Sequence, residues 1–417
     1  MSSQQGNREP RARTGSVPPA DDLRLPGGIT SVGADPDGSG TPAVDLSMDE
    51  AAAHEMLARM RNQLGRSYRA GRPIRLRGGD THRFYGNPWP ERCDDGVMLD
   101  CRLYRGVVHY DPSELVVTVR CGTPLAELEA VLAREGQCLP FEPPHFAPGG
   151  TVGGMVATGL SGPRRLSMGA VRDFVLGTVL VSPGGEVMRF GGEVMKNVAG
   201  YDVSRLLVGS MGVLGMIAEV SLKVLPQPKA DQTLVLDMTE VEAIRRCNQW
   251  GGLPLPLAAT LWHEGRLWVR LCGAEQAVES AVRQLGGELL PVDEAAALWL
   301  SIRNQRHAHF WQPGPLWRLS VPATVEVLGL PGSVLTEWGG ALRWYVPPVE
   351  RMPSADVVRE AVERVGGTAT LFRADEAHAA VARFHPLAPA NRQIQQRLKQ
   401  VFDPAGLINP GRLYDWL

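Results

Sequence analysis

A glycine-rich stretch, PGGTVGGMVATGLSGPRR at residues 148–165, contains the backbone best suited to bind an anionic ligand. Six of its eighteen residues are glycine, and glycine loses more conformational freedom on folding than any other residue. Two further clusters occupy residues 78–79 and 209–215. Backbone N–H groups in such turns form anion-binding concavities, and the absent side chains let that backbone approach a pyrophosphate or a flat ring. Any one cluster alone is typical of ordinary turns, whereas three together predict a phosphate-containing ligand.

The spacing of these glycines excludes two common nucleotide-binding motifs. A nicotinamide-binding Rossmann site requires a strand, the pattern G-x-G-x-x-G, a helix and an acidic residue about 20 positions later. None of the clusters has that arrangement, and the sequence contains no G-x-x-x-x-G-K-[ST] phosphate loop. Hydroxyl side chains near the clusters could add hydrogen-bond donors to the site: Thr81, Thr151, Thr158 and Ser161.

Histidines supply the other candidate chemistry. His307 and His309 are two residues apart, so on a strand they would share a face and could ligate a metal together; an exposed or packed pair is the alternative. The segment FRADEAHAAVARFHP would, on a helix, place histidines and arginines on one face, as a substrate pocket or a docking surface. These residues are Arg373, His378, Arg383 and His385. The six cysteines form no C-x-x-C pair, which indicates reduced thiols rather than metal ligands.

The composition is that of a globular protein. The chain has 417 residues, which is enough for two or three domains. With a net charge of −2 and no long basic run, it lacks the concentrated positive surface that nucleic acid requires. No apolar stretch reaches the roughly 18 residues of a membrane-spanning helix, and the N-terminal residues lack the apolar run of a secretory signal. We therefore expect a cytoplasmic protein that binds no nucleic acid and has no transmembrane segment.

Sequence periodicity divides the chain into four parts. Residues 1–43 are rich in Ser, Gly and Pro without periodicity, which predicts a disordered tail. Residues 44–228 begin with a helix and alternating strands and continue through the glycine-rich stretch into further strands. Residues 229–390 begin with the order βαββαβ, the split-βαβ signature of an α+β domain. Residues 391–417 comprise a helix and a tail that we expect to return to the first domain.

Several motifs, in the same order, resemble a known family. PIRLRGGDTH, PGGTVGGMVATGLSGPRRLSMGAVRDFVLG and VGSMGVLGMIAEVSLKVLP look like the FAD-binding domain of the vanillyl-alcohol oxidase / p-cresol methylhydroxylase superfamily. VFDPAGLINPGRL looks like the end of its 2-hydroxy-acid dehydrogenase branch. FGGEVMKNVAGYDVSRLLVGSMG, SIRNQRHAHFW, PLWRLSVP and EWGGALRWY are together similar to the FAD-binding E subunits of bacterial glycolate oxidases.

This resemblance implies an α+β fold. A two-part FAD-binding domain of the p-cresol methylhydroxylase type would span residues 44–228, and a split-βαβ, ferredoxin-like cap domain would follow. The turn at residues 78–81 would meet the pyrophosphate, the second glycine cluster would hold it and reach the flavin ring, and residues 212–217 would flank the ring or the adenine. The FAD-binding residues implied in this way are Arg77, Gly78, Gly79, Thr81, Gly149, Gly150, Thr151, Gly153, Gly154, Ser161, Gly162, Gly169, Gly212, Gly215 and Ile217.

Two residues of the first turn depart from the family pattern. Asp80 stands where a glycine is common, and an acidic side chain beside a pyrophosphate is unfavourable unless it points away. His82 lies near the place where some relatives link the flavin covalently, but its offset differs from theirs. We therefore expect noncovalent FAD.

The resemblance further implies an accessory FAD-binding subunit of a glycolate oxidase complex. A homologous flavin subunit would oxidise glycolate to glyoxylate, an iron–sulfur subunit would take the electrons onward, and any membrane association would come through these partners. Catalytic relatives carry an H-x-G-D-G-N-type metal motif that this sequence lacks, so we assign it no metal ligand and no catalytic residue. The alternatives are a stand-alone FAD-dependent 2-hydroxy-acid dehydrogenase and a structural subunit that has lost its flavin.

Overall fold

The structure is a computed structural model that describes residues 49–192 and 201–417. The predicted N-terminal tail, residues 1–43, lies outside the described residues, as does the end of the second GGEVM copy. Within the described residues, no helix is long and apolar enough to cross a membrane.

Helices and strands alternate irregularly along the chain. The helices are α1 (Glu50–Arg69), α2 (Leu125–Arg134), α3 (Val152–Thr158), α4 (Arg165–Met168), α5 (Val171–Phe174), α6 (Val203–Leu206), α7 (Glu240–Gly251), α8 (Glu275–Leu285), α9 (Val292–Arg303), α10 (Ala355–Glu363) and α11 (Pro389–Phe402). The strands are β1 (Ile74–Arg77), β2 (Val97–Asp100), β3 (Val107–Asp111), β4 (Val116–Arg120), β5 (Gln137–Cys138), β6 (Val175–Val181), β7 (Val187–Gly191), β8 (Met216–Lys223), β9 (Leu225–Pro226), β10 (Ala230–Asp237), β11 (Leu257–His263), β12 (Arg266–Gly273), β13 (Glu288–Leu289), β14 (Leu316–Ser320), β15 (Ser333–Glu337), β16 (Leu342–Val346) and β17 (Thr368–Arg373).

The first large sheet has five antiparallel strands in the order β3-β4-β8-β6-β7. Its middle strands are rich in valine and other apolar residues, which suit a pleated surface covered on both faces. On one face, Leu128 of α2 and Val156 of α3 share a core with Val220. On the other face, Leu64 of α1 packs with Ala218. The register of the β6–β8 pair shifts between Val179 and Leu180, so Ala218 and Val220, although two residues apart, contact helices on opposite sides of the sheet.

A small parallel sheet, β1-β2, stands beside this layer. The C-terminal segment adds to it, because Ile74 forms a parallel bridge with Ile408 and the Leu76 amide donates to Asn409 Oδ1 at 2.9 Å. The end of the chain therefore contacts the strand that precedes the first glycine cluster. The domain boundaries given above stay predictions.

The second large sheet has eight antiparallel strands in the order β13-β10-β12-β11-β15-β16-β14-β17. Its first four strands, with α7 and α8, have the split-βαβ arrangement that the sequence order predicts. The last four strands have the same spatial order read in reverse, β15-β16-β14-β17, and α10 precedes β17. Residues 321–332, however, form no helix between β14 and β15. The cap is therefore two ferredoxin-like halves rather than one.

The two halves of the cap meet at a short seam. β11 pairs with β15 through Leu261–Glu337 and Trp262–Thr336. On the helix-covered face each half has its own apolar cluster. On the opposite face, cap residues such as Trp344 and Phe372 join the core of the first sheet, so this face connects the cap to the region with the glycine clusters.

Candidate functional site

The three glycine clusters converge on one cavity of about 490 Å³. It lies between the turn after β1, helix α3, the start of β8 and the C-terminal segment. The implied FAD-binding residues on its wall are Gly78, Gly79, Thr81, Thr151, Gly153, Gly154, Gly212, Gly215 and Ile217. Residues that are more than 130 positions apart in the sequence, such as Gly78 and Ile217, thus form one concave surface.

The first two clusters contain glycine because their backbones touch each other. A Cβ atom on Gly79 would lie 1.8 Å from the carbonyl oxygen of Gly149, a distance that no side chain can occupy. A Cβ on Gly78 would lie 2.6 Å from Thr151 Oγ1. The Thr151 side chain is already placed, since it accepts a hydrogen bond from the Gly154 amide at 3.2 Å and caps α3. These glycines therefore hold two loops together at the cavity wall.

Gly154 is different because its missing side chain would meet only one atom of the protein. A Cβ there would approach only Thr151 Oγ1, at 3.3 Å, whereas a Cβ on neighbouring Gly153 would lie 2.8 Å from Cys121 Cβ. Both residues line the cavity. Gly154 is thus the residue of α3 at which a ligand could approach the backbone most closely.

The third cluster is shaped by left-handed backbone. Gly212 has φ 69° and Gly215 has φ 149°, conformations that favour glycine. A Cβ on Gly212 would lie 2.8 Å from Asn409 Nδ2, and one on Gly215 would lie 2.9 Å from the carbonyl oxygen of Val181. Asn409 donates to the carbonyl oxygen of Met211 at 2.9 Å, so the C-terminal segment fixes this turn.

The other implied residues lie behind or beside the cavity wall. Gly150 faces Thr81, whose Oγ1 would lie 3.2 Å from a Cβ on Gly150. Ser161 Oγ accepts from the Val171 amide at 3.2 Å, and the carbonyl oxygen of Gly162 accepts from Trp338 Nε1 at 3.1 Å. The residues placed away from the cavity lining are Arg77, Gly149, Gly150, Ser161, Gly162 and Gly169.

The negative charge of Asp80 is balanced by neighbouring arginines. It adopts φ 55°, and its carboxylate lies 3.5 Å from a guanidinium nitrogen of Arg75 and 3.2 Å from Arg77 Nε. Arg83 and Arg412 also line the cavity. Burial, together with the positive charge of Arg75, lowers the pKa of Arg412 to about 10. The wall therefore carries surplus positive charge, which suits an anionic ligand.

His82 lines the cavity as a neutral side chain. Burial, together with the nearby His145, lowers its pKa to about 4. Its Nδ1 lies 3.0 Å from Thr81 Oγ1, and its ring meets Phe146 edge-on at 5.1 Å. The ring is thus held by contacts on two sides.

Several wall residues were missed by the sequence analysis. Asn409 belongs to the quoted motif VFDPAGLINPGRL, so a signal for it existed. Arg75 likewise belongs to the quoted motif PIRLRGGDTH, whereas Trp89 and the thiols of Cys101 and Cys121 come from segments with no distinctive spacing. Burial raises the pKa of Cys101 to about 12 and raises that of Cys121 well above its usual range, so both are protonated thiols at neutral pH.

The histidine candidates do not reach this cavity. His307 precedes a 3-10 turn, not a strand, and His309 is buried with Nε2 2.9 Å from the carbonyl oxygen of Trp344. Burial lowers the pKa of His309 to about 3. In residues 49–192 and 201–417 no group of three or more His, Cys, Asp or Glu could hold a metal. The segment around His378 is a 3-10 turn and loop rather than a helix, and His378 pairs with Asp375.

Comparison with known proteins assigns the class. Residues 59–191 match the model of an FAD-binding domain. Two solved structures of alkyldihydroxyacetonephosphate synthase align with TM-scores of 0.60 and 0.59 at 16% and 15% identity, covering 84% of this chain and 74% of theirs. These matches confirm the predicted fold class, with its FAD-binding domain, and the predicted cofactor.

The family follows from sequence relatives. The chain is 45% identical to glycolate oxidase subunit GlcE of Escherichia coli (strain K12) over 342 residues, which are 82% of this chain and 93% of that protein. It belongs to the glycolate oxidase subunit GlcE family. D-lactate dehydrogenase of Anaerostipes hadrus is 36% identical over 35% of this chain and 30% of its own length. Glycolate oxidase subunit GlcD of Bacillus subtilis (strain 168) is 33% identical over 41% of this chain and 36% of its own length.

Proposed function

We propose that this chain is an FAD-binding accessory subunit of a glycolate oxidase complex that oxidises glycolate to glyoxylate. The observation that carries the proposal is the match along 93% of the Escherichia coli subunit, together with a cavity formed by three glycine clusters. The proposed partners are a homologous flavin subunit, similar to GlcD, and an iron–sulfur subunit.

The residues on the cavity wall fit noncovalent FAD. The glycine turns at residues 78–79 and 212–215 would approach the pyrophosphate and the rings, and Gly154 leaves its side of α3 open for the cofactor. Arg75 and Arg412 on the wall would supply positive charge for the two phosphates. When bound, the flavin supplies a two-electron acceptor that an alcohol can reduce.

Neither His82 on the cavity wall nor His309 away from it is suited to remove the hydroxyl proton of the substrate. A general base needs a pKa near the working pH and a position within hydrogen-bond reach. His82 has a pKa of about 4 and contacts Thr81, while His309 is buried and bonded to Trp344. Proton transfer by a positioned base accelerates a reaction roughly 10²–10⁴-fold. Without such a base, glycolate would reduce the flavin of this chain slowly. This supports an accessory role, with fast oxidation at the homologous subunit.

Anaerobic mixing tests the proposal. The FAD-loaded chain alone should keep its absorbance near 450 nm with glycolate or D-lactate, whereas the reconstituted complex should reduce an artificial acceptor and lose that activity when this chain is omitted. Rapid bleaching of the isolated chain would instead support a stand-alone 2-hydroxy-acid dehydrogenase. A purified chain without any flavin absorbance, even after addition of FAD, would support a structural subunit that has lost its cofactor.

A further inference from the structure

One wall of the cavity is formed by a loop that the family resemblance did not implicate in cofactor binding. Residues 86–95, named here the tryptophan loop, lie between the first glycine turn and β2. Three of these residues line the cavity: Pro88, Trp89 and Asp94. None of the FAD-binding residues that the resemblance implies lies between positions 82 and 148. The loop is therefore a part of the cavity with no role assigned to it.

The tryptophan loop is held at both of its ends by other segments. Asn87 Nδ2 donates to the carbonyl oxygen of Gly411 at 3.0 Å, and Arg72 Nη2 donates to the carbonyl oxygen of Asp95 at 2.6 Å. Pro90 packs against the same glycine, since a Cβ on Gly411 would lie 2.9 Å from Pro90 Cγ. The C-terminal segment and the chain that follows α1 thus fix the position of the loop on the cavity wall.

Trp89 is oriented within this loop by its neighbours. Its Nε1 donates to the carbonyl oxygen of Cys93 at 2.9 Å, which uses the one hydrogen-bond donor of the indole. Arg75, another wall residue, lies over the indole with Cζ 6.0 Å from the ring centroid, at the outer limit of a cation–π contact. A Cβ on Gly96 would lie 3.1 Å from Cζ2 of the indole, so the glycine leaves room for the ring. The half-buried indole is therefore held in place at the cavity.

Trp89 is the wall residue best suited to stack on a flat ring. Among the described residues that line the cavity, only Trp89 and His82 carry a ring of the aromatic kind. The His82 ring already meets Phe146 edge-on and contacts Thr81. Nucleobases stack on aromatic side chains because every base has a π-face, and FAD contains one such base, adenine, besides its flavin ring.

Asp94 indicates which ring of FAD would contact Trp89. Asp94 lines the cavity and directly follows Cys93, whose carbonyl oxygen accepts from the Trp89 indole. An ionised carboxylate only accepts hydrogen bonds, and the exocyclic amine of adenine is a donor. The flavin ring instead presents two carbonyl oxygens around a single N–H, and it gains electrons on reduction, so a carboxylate beside it is unfavourable. An indole and a carboxylate in one turn therefore favour adenine.

We propose that the tryptophan loop is the adenine-binding part of the cavity, where Trp89 stacks on the adenine ring and Asp94 accepts a hydrogen bond from the adenine amine. The glycine clusters and Arg412 would then meet the pyrophosphate and the flavin ring. The loop makes the cavity selective for FAD over FMN, which has the same flavin ring and a phosphate but no adenine. The assignment of adenine rests on the proposed FAD site and is independent of the accessory role of the chain.

Fluorescence titration of the flavin-free chain with FAD and with FMN tests this assignment. The unmodified chain should bind FAD more tightly than FMN. Trp89→Leu keeps an apolar side chain without a flat ring, so it should weaken FAD binding about tenfold or more and leave FMN affinity unchanged. Trp89→Phe keeps a smaller ring and should lie between the two. Asp94→Ala should also lower the ratio of FAD affinity to FMN affinity, because the adenine amine loses its acceptor.

Trp311→Leu is the matched control for the loss of an indole. Trp311 Nε1 also donates to a backbone carbonyl oxygen, that of Gln305 at 3.0 Å, and Arg373 Cζ lies 5.0 Å from its ring centroid, but Trp311 does not line the cavity. This variant should bind both flavins like the unmodified chain. An unchanged ratio of FAD affinity to FMN affinity in Trp89→Leu overturns the assignment, and so does an equal loss of affinity for both flavins. If Trp89→Leu does not fold, Asp94→Ala decides, and an unchanged ratio there counts against adenine.

Titration with ADP separates this proposal from the one before it. ADP carries the adenine and the two phosphates without the flavin, so it should bind the unmodified chain and bind Trp89→Leu more weakly. A chain that binds ADP in this way but no FAD would contradict only the proposed function. A chain that binds FAD equally well with and without the Trp89 indole would contradict only the adenine site.

Discussion

Lys399 Nζ lies 2.7 Å from Asp403 Oδ2 in the interior of the protein, where both side chains are buried. The same ammonium group donates to the carbonyl oxygens of Val213 and Ile408, each at 2.8 Å. All three of its protons are therefore used. Val213 lies between Gly212 and Gly215, so one buried lysine joins α11 and the C-terminal segment to a turn of the cavity wall.

Replacing this lysine should weaken both the fold and the cavity. Lys399→Met leaves the carboxylate of Asp403 buried without a cation, and breaking a buried pair in this way costs about 3–5 kcal/mol. The turn at Val213 also loses its anchor, so FAD affinity should fall. Chemical denaturation and FAD titration measure the two effects. Lys229→Met, at an exposed position, is the control, and a Lys399→Met protein as stable as this control would show that the buried pair contributes little.

Gly154 offers a way to separate cofactor binding from stability. Gly154→Ala should stabilise the flavin-free chain by about 0.5–1 kcal/mol, because alanine restricts the unfolded chain and favours a helix. The same methyl group should weaken FAD binding, and Gly154→Val should weaken it further. Thermal unfolding without FAD and fluorescence titration with FAD give the two numbers. Gly251→Ala, where a Cβ meets nothing within 4 Å, should leave FAD affinity unchanged; full flavin content in Gly154→Val would place the cofactor elsewhere.

The carboxylate of Asp80 should lower the affinity for FAD, and its left-handed backbone should lower the stability of the fold. Asp80→Ala removes the carboxylate near the phosphates and frees Arg75 and Arg77, so FAD should bind more tightly, by a factor that shrinks in high salt. Asp80→Gly should add stability of about 1 kcal/mol, because it also relieves the left-handed conformation. FAD titrations at two salt concentrations and denaturation of both variants make the comparison. Weaker FAD binding in both would mean that the carboxylate is needed to orient the two arginines.

Glu337 should make the folded state less stable as pH rises. Its pKa is about 7 in the folded protein against an ordinary value of 4.5, so the folded state keeps a proton that the unfolded chain has lost. The stabilising contribution is present below pH 4.5 and disappears as pH rises towards 7, amounting to up to about 3 kcal/mol. Denaturation between pH 4.5 and 8 should show this slope, and Glu337→Gln should flatten it. An identical slope in the variant would assign the effect to other groups.

The flavin should be released by acid. His82 contacts Thr81 and Phe146 and differs in offset from linking histidines, so we expect noncovalent FAD. Precipitation of the loaded protein with acid should leave all yellow colour in the supernatant, and His82→Ala should behave in the same way. Colour retained in the pellet of the unmodified protein but not in that of His82→Ala would identify a covalent bond at this residue.

The sequence was most informative where local pattern and backbone geometry coincide. Gly79 and Gly215 stand where any side chain would collide with backbone, so glycine clusters were a direct sign of the cavity. The order βαββαβ likewise predicted the first half of the cap, because all six of its elements are consecutive in the chain. The second half was not recognised as a repeat of this order, because residues 321–332 form no helix between β14 and β15.

Features that depend on distant segments were not predictable in this way. Arg75 and Arg412 belong to two quoted motifs, and the return of the C-terminal segment to the first domain was expected. Its pairing with β1, which brings both arginines to the cavity, follows from no local spacing. Ser161 and Gly162 share a glycine-rich stretch with Gly154, yet the chain turns after α3 and directs them towards the cap.

The seam between β11 and β15 has a consequence for how the cap opens. Among the described residues, only two pairs join the halves within the sheet, and on the helix-covered face each half closes its own cluster. Local cooperative units of a protein exchange their amide hydrogens with separate opening free energies. The cap should therefore behave as two such units, with β10 and β12 exchanging together and β14 and β16 exchanging together.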